Sequence, residues 1–185
     1  DYNLKVLILA GGFGTRLSEE TKKIPKPIIK IGEFPIIWHI MKYFSSFGYN
    51  DFVLLTGYKS ESIIDYFKNT NLQNSKMQEG NNISILNYKT VQKDIWKITF
   101  LNTGLNTMTG GRILRAKSLL ENKDFFLTYG DGLSNINLNK LINYHYEKNK
   151  LATISIVSPP ERFGIVNVDD EGIVTSFNEK AKKSN

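Results

Sequence analysis

Apolar runs alternate with amphipathic stretches along most of the chain, and this alternation predicts its secondary structure. Nearly continuous apolar runs at Lys5–Ala10, Asp51–Thr56 and Asp124–Tyr129 predict parallel strands, because a strand buried on both faces has few polar positions. Apolar residues that recur every three or four positions predict four helices, at Pro35 to about Phe47, Ser60–Asn69, Thr109 or Gly110 through Leu120, and Leu138–Lys148.

Shorter alternating segments complete the pattern. They predict strands at Ile83–Lys89, Trp96–Asn102 and Leu151–Val157, and a hairpin of Ile165–Val168 and Ile173–Phe177 around the turn Asp169–Gly172. Residues 70–82 are polar and predict a loop. Strands that alternate with helices predict one domain, residues 1–185, with a doubly wound, mostly parallel, Rossmann-like α/β sheet and helices on both faces. Ligands of such sheets bind outside the carboxyl ends of the strands, so candidate site residues should lie there.

The composition excludes several kinds of site. The 185 residues contain no cysteine, which rules out a disulfide scaffold, a cysteine nucleophile and thiolate metal centres. The two histidines argue against a multi-histidine metal centre. The longest apolar run near the start, Leu4–Ala10, is too short to span a membrane or to act as most signal peptides do. We therefore expect a cytoplasmic protein without a membrane partner.

The positive charge points to small anionic ligands. The net charge is +6, but the lysines are scattered and the aromatic residues lie in apolar stripes, so the pattern does not predict nucleic-acid binding. Scattered lysines keep a surface soluble, whereas arginine can hold phosphate oxygens with its planar fork. Two of the four arginines, Arg16 and Arg112, lie in glycine-containing turns.

The first candidate motif follows the first strand and reads LAGGFGTRL at 9–17, with PKP at 25–27. Its glycines allow close approach to a ligand, and their N–H groups can cradle an anion beside Arg16 and Lys26. A dinucleotide fingerprint would need a third glycine where Leu17 stands, and a Walker A loop would need Gly-Lys-Ser/Thr. An ordinary turn does not explain a long loop that carries Arg16 and a lysine between two prolines.

This two-part motif resembles the signature of the sugar-1-phosphate nucleotidyltransferases, GGxGTRL followed by PKP. Residues 17–21, 38–42, 56–59, 107–112 and 128–132 are similar to the glucose-1-phosphate cytidylyltransferase branch of that family, and the resemblance runs from residue 4 to about 180. It implies a nucleotidyltransferase fold and Mg²⁺-assisted transfer of a cytidylyl group from CTP to glucose 1-phosphate, giving CDP-glucose and pyrophosphate. It also implies a role in nucleotide-sugar biosynthesis for lipopolysaccharide O-antigen.

The resemblance assigns roles in the first motif. Residues expected to line the nucleotide are Leu9, Ala10, Gly11, Gly12 and Phe13. Residues expected to hold the triphosphate are Gly14, Thr15 and Arg16, with Arg16 stabilising the departing pyrophosphate. Lys26 is expected near the α-phosphate or the sugar phosphate, where charge develops during transfer.

A second motif, from Thr107 to Arg112, lies at a predicted helix start. Thr109 is a candidate N-cap, but a cation in the first turn opposes the helix dipole, so Arg112 indicates a partner rich in hydrogen-bond acceptors. By resemblance, Thr107 and Arg112 recognise the base and ribose. Arg115 is expected on the surface, and Trp38 and His39 are expected to pack or meet solvent.

A third motif supplies the expected metal ligand. Asp131 between two glycines suits Mg²⁺, which uses one or two protein carboxylates and keeps its waters, and Gly130 is expected to contact the nucleotide. Residues expected by resemblance to bind the sugar phosphate are Gly164, Glu179 and Lys180. Where the family reads Glu-Lys-Pro, this chain reads Glu179-Lys180-Ala181. The family sequence then continues to a second metal-binding Asp. We therefore expect this chain to bind CTP–Mg²⁺ but to turn over slowly.

Two alternatives stay open from the sequence. One is a non-catalytic CTP-binding homologue, and the other is a nucleotidyltransferase that uses another nucleotide or phosphorylated acceptor. The expected partners are CTP and a sugar 1-phosphate, and a homo-oligomer is expected.

Overall fold

The computed structural model describes residues 3–12, 24–72, 76–157 and 165–178, and the chain divides into two compact units, Asp1–Asn135 and Ile136–Asn185. The strands of the first unit are β1 (Lys5–Leu9), β2 (Lys30–Ile31), β3 (Phe34–Pro35), β4 (Asp51–Thr56), β5 (Gln78–Glu79), β6 (Ile83–Lys89), β7 (Ile95–Asn102) and β8 (Phe125–Tyr129). Its helices are α1 (Ile36–Ser45), α2 (Ser60–Thr70), α3 (Thr109–Arg115) and α4 (Lys117–Leu120), with a 3₁₀ turn at Lys26–Ile28.

A six-stranded sheet in the order β5-β6-β7-β4-β1-β8 forms the centre of this unit. The four strands β7, β4, β1 and β8 run parallel, while β6 pairs antiparallel with both β5 and β7. Leu7 of β1 is opposite Val53 on one side and Leu127 on the other. The predicted mostly parallel sheet is therefore confirmed, and the carboxyl ends of four strands lie at one edge.

Helices pack on both faces of the sheet, because successive strand residues point to opposite sides. One face packs against α3 and α4 through a cluster of Leu7, Val53, Leu55, Leu101, Ala116, Ile113, Leu119 and Leu120. On the other face, Phe52 lies 5.5 Å from Trp96, between ring centroids, and Trp96 contacts Trp38 of α1. Trp38 is buried there and stacks on Phe34, so its expected packing role is observed.

Several local predictions differ from the structure. Residues 151–157 form no strand, although their apolar alternation is strong, and Leu151, Ile154 and Val157 are exposed. Alternation specifies a face but does not provide the hydrogen-bonded neighbour that a strand requires. The predicted helix from Thr109 to Leu120 breaks at Ala116, and the short strands β2, β3 and β5 were not predicted.

The second unit contains α5 (Leu138–Lys148) and a hairpin of β9 (Ile165–Val168) and β10 (Val174–Asn178). The hairpin prediction is confirmed, with Gly172 at a φ of 77° and the Asp169 carboxylate accepting from the N–H groups of Glu171 and Ile173. Asn137 caps α5 by accepting from the N–H of Lys140. In the described ranges, no helix is long and apolar enough to cross a bilayer.

Candidate active site

A pocket of about 480 Å³ lies at the carboxyl edge of the sheet in the first unit. Its lining follows β1, β7 and β8, with contributions from the 3₁₀ turn and α3, and comprises Leu9, Ala10, Gly11, Gly12, Lys26, Pro27, Leu105, Asn106, Thr107, Met108, Thr109, Arg112, Tyr129, Gly130 and Asp131. Every described residue that the sequence analysis assigned to the nucleotide is in this lining. The remaining candidates lie outside the described residues, namely Phe13, Gly14, Thr15, Arg16, Gly164, Glu179 and Lys180.

Backbone hydrogen bonds continue past the strand ends and hold the pocket wall. The N–H of Ala10 donates to the carbonyl of Leu55 at 3.0 Å, and the N–H of Gly130 donates to the carbonyl of Leu9 at 2.9 Å. The N–H of Thr103 donates to the carbonyl of Thr56 at 2.9 Å. The loops that face the pocket are therefore joined to the central strands at their first residue.

An ion pair between Lys26 and Asp131 lies on one side of the pocket. The ammonium group of Lys26 donates to Oδ2 of Asp131, and each side chain is about one-third exposed, at 34% and 33%. Pro25 and Pro27 restrict the backbone on both sides of Lys26, since each ring fixes its own φ angle. The sequence analysis assigned Lys26 to a phosphate and Asp131 to Mg²⁺, and the structure brings the two side chains into contact.

The side chain of Arg112 is buried on another side of the pocket, with 5% exposure. Its Nη1 donates to the carbonyls of Thr56 and Gly104, at 3.1 and 2.9 Å, and to Oγ1 of Thr103 at 2.6 Å. Its Nη2 donates to the carbonyls of Gly11 and Leu105, at 2.9 and 3.2 Å. The guanidinium group thus joins the loops that follow β1, β4 and β7.

These bonds give Arg112 a structural role in addition to the role expected from the sequence, which stays a prediction. Each terminal nitrogen carries two hydrogens, and the five protein oxygens already account for all four of them. A cation in the first turn of α3 thus has acceptors among the protein oxygens at the strand ends. Burial lowers the pKa of the Arg112 guanidinium, and repulsion from Arg115 lowers it further.

Two glycines make room for this guanidinium group. A Cβ atom on Gly11 would lie 2.2 Å from Nη1 of Arg112, and one on Gly57 would lie 2.5 Å from the same atom. Among the described residues, no atom lies within 4 Å of the Cβ position of Gly12. Close packing with Arg112 therefore requires glycine at both positions, and sequence reasoning did not single out Gly57 for this purpose.

Arg115 is exposed, as expected, but its side chain also forms hydrogen bonds with the loop that follows β7. Its Nη1 donates to Oγ1 of Thr107 at 2.6 Å and to the carbonyl of Thr103. Thr107 in turn donates to the carbonyl of Thr103 at 2.5 Å. Thr109 begins α3 but provides no side-chain cap, since Met108 occupies the N-cap position. The only sequence signal for Arg115 was its spacing of one helical turn from Arg112.

The residues present fit a divalent ion held together with phosphate. No group of three or more acidic or histidine side chains within the described ranges could hold a metal by itself. The Asp131 carboxylate lines the pocket and retains acceptor capacity beyond its bond to Lys26, because an ionised carboxylate has about four lone-pair sites. Mg²⁺ commonly uses one or two carboxylates plus substrate phosphates, and Asp131 meets that description.

Comparison with known proteins identifies the family. The Nucleotidyl transferase family matches residues 5–185. The chain belongs to this family. Among curated relatives, a probable glucose-1-phosphate cytidylyltransferase of Bacillus subtilis strain 168 is 45% identical over 177 residues, which are 96% of this chain and 69% of the relative. A glucose-1-phosphate cytidylyltransferase of Salmonella typhimurium is 42% identical and is matched over 97% of this chain and 70% of the relative.

Solved structures agree with the assignment to the nucleotidyl transferase family. HddC from Yersinia pseudotuberculosis, solved in complex with GMP-PN, superposes with a TM-score of 0.67 and 27% identity, covering 97% of this chain and 70% of HddC. This member of the family therefore spans about 70% of the length of these three relatives. The chain is a nucleotidyltransferase by family, and the expected fold is confirmed.

Proposed function

We propose that this nucleotidyltransferase moves a cytidylyl group from CTP to glucose 1-phosphate, forming CDP-glucose and pyrophosphate. The observation that carries the proposal is the pocket itself, where residues of all three sequence motifs meet at the carboxyl edge of the sheet. Relatives that are 42% and 45% identical carry the name of this activity, over 96–97% of the chain.

The protein has little covalent chemistry to perform in this reaction. A phosphate oxygen of glucose 1-phosphate attacks the α-phosphorus of CTP, and the bond from that phosphorus to the bridging oxygen of pyrophosphate breaks. A phosphate monoester has its second pKa near 6, so the nucleophile is already anionic at neutral pH. The protein therefore has to position two anions and stabilise the added charge.

The pocket offers groups for each part of this task. Lys26 supplies a positive charge that is one-third exposed and can move from Asp131 to a phosphate oxygen. Gly11 and Gly12 line the pocket next to β1, where the nucleotide is proposed to bind. Gly14, Thr15 and Arg16 are proposed from the family resemblance to hold the triphosphate. Roles for Arg16 in pyrophosphate release, and for Gly164, Glu179 and Lys180 in sugar binding, are proposed from the family resemblance.

Asp131 is the residue that would hold Mg²⁺. When bound, the ion neutralises phosphate charge during transfer. We also place the reaction in the cytoplasm, where nucleoside triphosphates and sugar phosphates are available. Supply of CDP-glucose for O-antigen, and homo-oligomer formation, stay predictions.

Pyrophosphate release tests the proposal. The protein is incubated with Mg²⁺, glucose 1-phosphate and one of CTP, UTP, dTTP, ATP or GTP, and CDP-glucose is identified by mass. We expect release with CTP that depends on glucose 1-phosphate. Equal release with all five nucleotides would remove the cytidylyl assignment, and tight CTP binding without any release would favour a non-catalytic binding protein.

A further inference from the structure

The turn that carries Lys26 packs directly against the end of β8. A Cβ atom on Gly130 would lie 3.1 Å from Cγ and 3.4 Å from Cβ of Pro27, so the proline ring lies where a side chain at position 130 would begin. Both residues of this contact are buried. Their chain neighbours, Lys26 and Asp131, form the ion pair of the pocket. The contact therefore lies one residue away from each charged group.

The sheet fixes the strand side of this contact. The N–H of Gly130 donates to the carbonyl of Leu9 at 2.9 Å, which extends the pairing of β1 with β8 by one residue. A Cβ atom on Gly130 would also lie 3.1 Å from that carbonyl oxygen, so the glycine is enclosed between β1 and the proline ring. Asp131 follows directly, and its backbone therefore starts from a position that the sheet determines.

The lysine side of the contact is a turn with its own hydrogen bonds. The N–H groups of Ile28 and Ile29 donate to the carbonyls of Pro25 and Lys26, at 2.9 and 3.1 Å. These two bonds hold the shape of the turn, but neither of them joins it to β8. Pro27 has no N–H to donate, so what it contributes towards the strand end is the packing of its ring. The location of the turn relative to β8 therefore depends on this packing.

We propose that Pro27 is a positioning residue, and that its contact with Gly130 sets the separation between the ammonium group of Lys26 and the carboxylate of Asp131. The inference rests on the proposed function, in which Lys26 meets a phosphate and Asp131 holds Mg²⁺. A lysine side chain is flexible, so the location of its backbone decides which oxygens its ammonium group can reach. Phosphoryl transfer depends on positioning, and a misplacement of about 1 Å can lower the rate about 10²-fold.

Carbodiimide cross-linking of the ligand-free protein tests this geometry without catalysis. The reagent joins an amine to a carboxylate where the two are in contact, and mass spectrometry of the peptides measures the yield of the Lys26–Asp131 link. The Lys42–Asp94 pair is the internal reference, because its exposure is similar, at 33% and 29%, and it is not in the pocket lining. We expect Pro27→Ala to lower the Lys26–Asp131 yield severalfold against this reference, because the turn can then move.

Two further variants separate the ring contact from other effects of a proline. Among the described residues, the three atoms nearest to a Cβ on Gly130 belong to Leu9 and Pro27. Pro25→Ala, which removes the other proline beside Lys26, should therefore keep most of the yield, and an equal loss would assign the effect to backbone restraint instead. Gly130→Ala crowds the contact from the strand side and should lower the yield, so the test stands if Pro27→Ala does not fold. All variants are cross-linked below their Tm.

Kinetics adds a readout that a general loss of stability would not produce. Pro27→Ala should lower kcat about 10- to 100-fold, with little change in KM for CTP. In a Lys26→Ala background the same substitution should have no further effect on kcat, because a positioning residue acts through the group that it positions. An equal loss of kcat in both backgrounds would overturn the positioning role.

The outcomes distinguish this inference from the proposed function. An unchanged Lys26–Asp131 yield in Pro27→Ala, or in Gly130→Ala if the first variant does not fold, overturns the positioning role whichever nucleotide the protein uses. Equal pyrophosphate release with every nucleotide contradicts the cytidylyl assignment but leaves the cross-linking result intact. If the wild-type protein shows no turnover, the cross-linking yield alone decides.

Discussion

The two cationic sides of the pocket are built in opposite ways. The guanidinium of Arg112 is buried at 5% exposure and, within the described part of the chain, donates to five uncharged protein oxygens. The ammonium of Lys26 is 34% exposed and is paired with one carboxylate, that of Asp131. One positive charge is therefore committed to the protein, and the other is available for exchange.

Within one pocket, Arg112 therefore holds the loops in position, whereas Lys26 is available to interact with the substrate. A guanidinium that satisfies five oxygens at the ends of β1, β4 and β7 fixes the distance between their loops, and moving it would leave buried acceptors without donors. An ion pair near solvent is worth little to stability, so a phosphate can replace one partner at small cost. The buried side keeps the pocket in place, and the exposed side meets the substrate charge.

The largest expected effect is on catalysis at Lys26. If its charge stabilises the transition state, Lys26→Ala should lower kcat by about 10²–10³, as loss of a preorganised donor does, with much less change in KM for CTP. Steady-state kinetics of pyrophosphate release measures both constants.

Lys42 offers a matched control for this variant. It pairs with Asp94 at similar exposure, 33% and 29%, but it is not in the pocket lining. Lys42→Ala should therefore leave kcat unchanged. A large rise in KM for Lys26→Ala with kcat intact would instead make Lys26 a ground-state binding residue.

The next effect concerns stability at Arg112. Arg112→Met removes five hydrogen bonds at once and should lower the free energy of unfolding by about 3 kcal/mol, measured by urea denaturation. Arg112→Lys should recover only part of this loss, because an ammonium group cannot reproduce the planar fork. A loss below about 0.5 kcal/mol, the size of an ordinary surface change, would contradict the structural role of Arg112.

A smaller effect is expected for metal at Asp131. Mg²⁺ alone should not raise the Tm, because one carboxylate already paired with Lys26 is a poor site for a bare ion. Mg²⁺ with CTP should raise the Tm more than CTP with EDTA, and Asp131→Asn should abolish that difference. A Tm rise with Mg²⁺ alone that survives in Asp131→Asn would point to another metal site.

Nucleotide preference should appear as a modest difference in Tm. CTP with Mg²⁺ should stabilise the protein more than UTP, dTTP or ATP do at the same concentration, because ligand stabilisation follows the ratio of concentration to Kd. By resemblance, Thr107 and Arg112 carry this expectation, and both residues line the pocket. Equal shifts with all four nucleotides would leave only the general family assignment.

The smallest effect belongs to the Lys42–Asp94 pair. Burial alone would raise the pKa of Asp94, but hydrogen bonds from Lys42 and Thr90 outweigh it and hold that pKa below its ordinary value of 3.8. The pair therefore contributes stability that is complete well above pH 3.8 and is lost as the pH falls towards the lowered value. Asp94→Asn should cost about 1 kcal/mol at pH 7 and less at pH 3, measured by urea denaturation. An equal cost at both pH values would exclude the ion pair as its source.

The local sequence pattern predicted the bounds of a helix or strand well where the burial of its own side chains determines them. The segments of β4, β6 and α5 have the predicted bounds, since each depends on its own apolar positions. The segment 151–157 was wrong because a strand also needs a neighbour, which no local pattern contains.

The motifs predicted which described residues meet at the pocket but not how they pair. Arg112 bonds to Gly11 across 101 positions, and Lys26 bonds to Asp131 across 105. A cation in the first turn of a helix signals acceptors without saying whose they are, so the sequence argument assigned them to a base. Which residues bond to each other over such separations can be determined only when the strand order is known.

The central place of β1 has a consequence for biosynthesis. This first strand pairs with β4 on one side and with β8 on the other, yet β8 begins at Phe125, far later than the end of β4 at Thr56. At ribosomal rates of about 5–20 residues per second, β8 follows β4 by roughly 3–15 s. During that interval the nascent chain exposes an unpaired edge of this apolar strand, and such an edge is a template for aggregation. A nascent chain halted between these strands should therefore bind chaperone more strongly than one halted after Tyr129.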